Sequence, residues 1–61
     1  MNIAMDREQI KQRLMEIEKN IQYNAEMFKN GEYSYEELHN SQYPLFKEKK
    51  MLELELKNLE G

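Results

Sequence analysis

The stretch Phe28-Lys29-Asn30-Gly31-Glu32-Tyr33-Ser34-Tyr35-Glu36-Glu37-Leu38 decides the fold. Asn30-Gly31 is a helix stop, because glycine reaches positive φ without the Cβ clash that other residues meet. Ser34 followed three residues later by Glu37 is a capping box that opens a new helix, with Tyr33 and Leu38 placed as its hydrophobic staple. A stop followed so closely by a start describes two helices joined by a tight turn.

Upstream, Asp6 and Gln9 repeat the capping device, and Met5 and Ile10 stand where its staple belongs. The first helix is therefore expected over residues 7–29. Its apolar positions are Ile10, Leu14, Ile17, Ile21 and Phe28, with Asn24 at the step that an apolar residue leaves open. Downstream, leucine returns every seventh residue at Leu38, Leu45, Leu52 and Leu59, while Tyr35, Gln42, Lys49 and Leu56 take the other seam position. This predicts a turn over 30–34 and a second helix over about 35–60, which Gly61 ends. The fold class is all-α: residues 1–61 form a single antiparallel, coiled-coil-like helical hairpin, either alone or as half of a homodimeric four-helix bundle.

Doubling the chain back at Gly31 to Tyr33 and pairing residues whose numbers sum to 66 tests the seam. Phe28 meets Leu38, Ile21 meets Leu45, Leu14 meets Leu52 and Ile10 meets Leu56. Ile17 meets Lys49, whose methylene stem can cover it while the ammonium reaches water. Asn24 meets Gln42. Such a polar layer penalises slipped registers, because any shift sets an amide against an apolar side chain. The other arrangement open to the pair is at the edge of the seam, pointing to solvent.

Pro44 breaches the second helix, where a proline costs about 3 kcal/mol by removing a backbone bond and crowding the preceding turn. Two outcomes are open. Helix 2 kinks after Asn40, or a short tip helix ends near Ser41, which then caps a longer helix begun by Pro44.

With no cysteine in 61 residues, neither disulfides nor zinc thiolates can compensate for a small core, so stability must draw on association. The same absence favours a cytoplasmic location. Net charge is -3 and the nine basic residues are dispersed, which disfavours direct nucleic-acid binding. Lys47, Lys49 and Lys50 cluster, but Glu48, Glu53 and Glu55 surround them, as on a solvated helix face. No run nears the roughly 18 apolar residues of a membrane span, and the first residues lack the layout of a secretion signal. A soluble, unprocessed protein is expected. Seven lysines against two arginines, with frequent asparagine, point to an AT-rich genome such as that of a low-GC bacterium or its phage.

Candidate chemistry is sparse. Glu36 and His39 have the spacing of one carboxylate-histidine ligand pair, whereas bundle metal sites need two such pairs and further inward glutamates. Asp6, the lone aspartate, is a cap, and Ser34 and Ser41 have no histidine placed to activate them. No catalytic, cofactor-binding, metal-binding or small-molecule site is assigned. The side chains left over once the seam is assigned are Tyr43, Phe46, Lys50 and Leu54 on helix 2 and Tyr23 and Met27 beside the seam on helix 1. Together with Tyr33 and Tyr35 at the tip they are the candidate partner-binding residues, for another protein or for a second copy.

The turn quoted at the outset, followed by Pro44-Leu45 and a leucine-glutamate tail, resembles the coiled-coil insertion of large serine recombinases. That resemblance covers about half the chain. It implies a freestanding accessory or directionality factor in DNA recombination that docks hairpin to hairpin. A second resemblance is to the small hairpin phosphatases of sporulation response regulators, carried by Gly31 and Ser41-Gln42. It implies a site at Ser41 and Gln42, although Leu45 stands where that family has its aspartate. The expectation drawn from all of this is a non-catalytic regulatory or adaptor protein that binds another protein by helix packing, with a structural homodimer as the alternative.

Overall fold

The computed structural model describes residues 6–60. It contains two helices, α1 over Arg7–Lys29 and α2 over Tyr35–Glu60, packed against each other as a hairpin. The staple residue Met5 and the terminal Gly61 lie outside the described residues.

Each helix end is closed by the residues that its sequence supplies. At the start of α1 the Asp6 carboxylate accepts from the Gln9 amide at 2.9 Å, and Gln9 Oε1 accepts from the Asp6 amide at 3.0 Å. At its end Gly31 adopts φ 82°. The Gly31 amide then donates to the Phe28 carbonyl and the Glu32 amide to the Met27 carbonyl, the paired bonds of a Schellman turn. Ser34 and Glu37 form the reciprocal box that opens α2, at 3.1 and 2.8 Å.

Burial follows the seam. Ile10 and Ile17 are wholly buried and Leu52 nearly so, with Leu14, Ile21, Leu45 and Leu56 packed around them. Asn24 and Gln42 are buried as well, joined by a 3.1 Å hydrogen bond from Asn24 Nδ2 to Gln42 Oε1. Gln42 Nε2 donates to the Ile21 carbonyl at 3.1 Å, which engages both ends of that amide. The pair is thus an internal layer, and the solvent-facing alternative is excluded.

Three departures from the heptad pattern have local causes. The proline does not interrupt α2, which passes through Pro44 as one element. Pro44 lies on an exposed face, so the Asn40 carbonyl it leaves without a helical donor can turn to water, while Gln42 and Leu45 hold the seam on either side. Phe28 is 41% exposed, its ring sitting edge-on at 6.4 Å to Tyr35, which is itself exposed and gives it little cover. Leu59 is exposed because the register sets it opposite Arg7, whose guanidinium reaches Glu60 at 2.9 Å and offers no apolar cover.

Candidate protein-docking faces

Two inter-helix ion pairs run along opposite sides of the seam and divide the hairpin surface in two. Glu48 and Lys49 are consecutive, so on a helix their side chains diverge by about 100°. Arg13 grips Glu48 with two bonds of 2.7 and 2.9 Å and also reaches Glu16 at 3.3 Å. On the other side Lys49 Nζ reaches Glu18 at 2.9 Å. The hydrogen bonds from Arg13 hold the Glu48 carboxyl below its ordinary range and raise the guanidinium above its own. The bond to Glu18 raises the Lys49 ammonium.

The Lys49 side carries the aromatic surface. Tyr35, Leu38, His39, Gln42 and Phe46 line a shallow concavity of about 330 Å³ near the tip. The His39 and Tyr43 rings lie 5.9 Å apart beside it. Phe46, Lys50 and Leu54 follow at intervals of four, the ridge spacing of a helix surface, and Phe46 and Leu54 are more than half exposed. Leu14, Met15, Glu18 and Lys19 of α1 meet Lys49 and Glu53 of α2 in a second groove of about 430 Å³, which continues this face toward the open end.

The Arg13 side belongs mainly to α1. Arg13, Glu16, Asn20, Tyr23 and Met27 recur at three and four residues and so form one stripe. Tyr23 leans toward the outer surface, where it lines a shallow groove with Lys19, Gln22 and Glu26. Met27 is half-buried. The candidate residues therefore do not converge: Tyr43, Phe46, Lys50 and Leu54 share one face, and Tyr23 and Met27 another. At the tip, Tyr33 is half-buried and its amide donates to the Met27 carbonyl, whereas Tyr35 is exposed and packs edge-on to Phe28.

The sequence reading passed over Met15 and Met51, which are both largely exposed. Met15 adjoins the seam residue Leu14 and extends the aromatic face onto α1. Its position one step off the seam was the available signal.

Of the two residues that the phosphatase resemblance carries over, Gln42 is 8% exposed and its amide is used inside the seam. It is not presented to an external phosphoryl group. Glu36 and His39 lie near the start of α2, and no three His, Asp or Glu side chains converge as metal ligands among the described residues. Neither helix is long and apolar enough to cross a membrane.

These features define a two-helix hairpin with a closed seam and two outward faces. No protein-family model matches the chain, and it has no significant match among curated proteins or solved structures. The resemblances to the recombinase insertion and to the hairpin phosphatases thus gain nothing from comparison beyond the shared hairpin shape.

Proposed function

We propose that this chain is a small non-catalytic regulatory or adaptor protein that acts in the cytoplasm by packing a helix face against another protein. The observation that carries the reading is that the seam is already filled, yet Tyr43, Phe46 and Leu54 stay 52–64% exposed in one row. Large apolar groups rimmed by charge, on a unit too small to bury them itself, are the ordinary composition of a docking surface. Docking on the coiled coil of a serine recombinase is a narrower form of the proposal, supported by the cap-and-turn pattern of residues 28–38 alone. The lysine bias of the sequence supports a bacterial or phage setting.

The test is chemical cross-linking of tagged chain inside its host, comparing wild type with Phe46→Glu and Met27→Glu. An adduct with a foreign protein that one of these variants loses, while helix content is kept, supports the reading. Adducts of the chain with itself alone, or foreign adducts that both variants retain, sink it.

A further inference from the structure

The basic residues are dispersed along the sequence, yet folding gathers most of them on one side of the seam. The Arg7 to Glu60 and Lys49 to Glu18 pairs fix which lines of the two helices border the groove of the aromatic face. On α1, Lys11 stands four residues after Arg7 and Lys29 eleven after Glu18. On α2, Lys50 stands four residues after Phe46 and Lys57 eleven. Four and eleven residues are close to whole helical turns, so these lysines stay on the same two lines. Arg7, Lys11, Lys29, Lys49, Lys50 and Lys57 therefore border this groove with only Glu18, Glu53 and Glu60 among them. By the same spacing the Arg13 side holds that one cation against Glu16, Glu37, Glu48 and Glu55. A chain of net charge -3 thus presents one side that is basic and one that is acidic.

Resting on the reading that the hairpin acts by helix packing, we propose that the groove on the Lys49 side takes an acidic amphipathic helix of another protein as a third helix, its apolar stripe lying between α1 and α2 and its carboxylates on Lys11, Lys29, Lys50 and Lys57.

The free charges specify the partner's sign. Arg7, Glu18, Lys49 and Glu60 are already engaged with one another across the seam. Among the described residues Lys11, Lys29, Lys50 and Lys57 have no ion-pair partner, and all four are exposed. Glu53 is the single carboxylate on the groove in the same condition. An acidic partner is attracted here and repelled by the carboxylates of the Arg13 side, so charge chooses the face as well as the ligand.

The shape specifies a helix. Shallow concavities of about 330, 430 and 420 Å³ follow one another along α2 from Tyr35 to Glu60. That length is about 38 Å at helical rise, the span of a helix of roughly 25 residues. Leu14 and Leu56, which the two-helix seam leaves half-buried, line its floor. Two of the free lysines stand on the α1 wall and two on the α2 wall. An amphipathic helix matches this arrangement, with apolar residues at intervals of three and four for the floor and acidic residues flanking them for both walls. A nucleic-acid backbone or a lipid surface would meet the lysines but leave the apolar floor between them unfilled.

The test places the photo-reactive residue p-benzoylphenylalanine at Phe46, and separately at Tyr23 on the Arg13 side, in the full chain inside its host, and reads each cross-linked segment by mass spectrometry. The Phe46 site is expected to capture a segment of another protein that has apolar residues at helical spacing and an excess of carboxylates. Lys11→Glu, Lys50→Glu and Lys57→Glu combined, with helix content retained, should lower that yield about tenfold or more, since each turns an attraction into a repulsion. Glutamine at the same three positions serves as the second variant and should lower it less. Lys47→Glu, on the outer line of α2, should leave the yield unchanged. Capture at Phe46 of a basic segment, a second copy of the chain, lipid or nucleic acid overturns the proposal. So does a yield indifferent to the lysine replacements or lowered as much by Lys47→Glu. Foreign capture at Tyr23 alone also overturns it while leaving the adaptor reading standing, whereas the absence of foreign capture at both sites sinks the two together.

Discussion

Asn24 and Gln42 share a hydrogen bond of 3.1 Å inside the seam, beside an apolar cluster built on Ile10, Ile17 and Leu52. Replacing both by leucine removes two desolvated amides and should raise the melting temperature by several degrees. The same change should loosen register, seen as broadened or doubled amide resonances. Asn24→Leu alone strands Gln42 Oε1 and should cost about 1–3 kcal/mol. A double mutant less stable than wild type would show that the layer is not the weak point of the seam.

Gly31 at φ 82° has no atom within 4 Å of where a Cβ would stand. The cost of Gly31→Ala is therefore backbone strain without collision, about 1–2 kcal/mol in a urea melt. Gly31→Asn should recover part of it, since asparagine tolerates the left-handed region. Equal losses in the two variants would mean that the turn has shifted.

Acid should weaken the hairpin through Glu48. Its folded pKa lies below the unfolded one, so the contribution is complete above the ordinary glutamate range near about 4.3 and disappears as pH falls through the folded value. Arg13 and Glu48 are each more than a third exposed, which limits the pair to under about 1 kcal/mol and makes it sensitive to salt. Melts of Glu48→Gln between neutral and acid pH should therefore show a shallower decline than wild type. Lys49 behaves oppositely, its raised pKa giving a contribution that holds at neutral pH and is lost as alkali passes the folded value.

Pro44→Ala restores an amide that can donate to the Asn40 carbonyl. The variant should be more stable by about 1–3 kcal/mol in thermal or urea unfolding. A loss of stability instead would mean that the proline restrains the unfolded chain more than it injures the helix.

The hairpin was legible because its signals are local and agree: Asp6 with Gln9, Asn30 with Gly31 and Ser34 with Glu37 mark the ends, and the leucine and isoleucine spacings demand a shared seam. Pro44 left two outcomes open, a kink or a restart, and the closed hairpin removes the restart, since α2 runs through the proline with Gln42 and Leu45 in the seam on either side. The division of candidate residues into two faces was hidden as well. Spacing shows that Phe46 and Lys50 lie together, and that Tyr23 and Met27 do. Whether Met15 joins the first group depends on which side of α1 comes to lie beside Lys49, and only the closed hairpin fixes that.

Asn24 is bonded across 18 positions of chain, whereas Arg7 and Glu60 are bonded across 53. Amides near the Schellman turn are therefore clasped within a short loop, while those at the far ends depend on the whole length staying zipped. Deuterium uptake should form a gradient along the molecule, fastest at the outer turns and slowest beside Gln42.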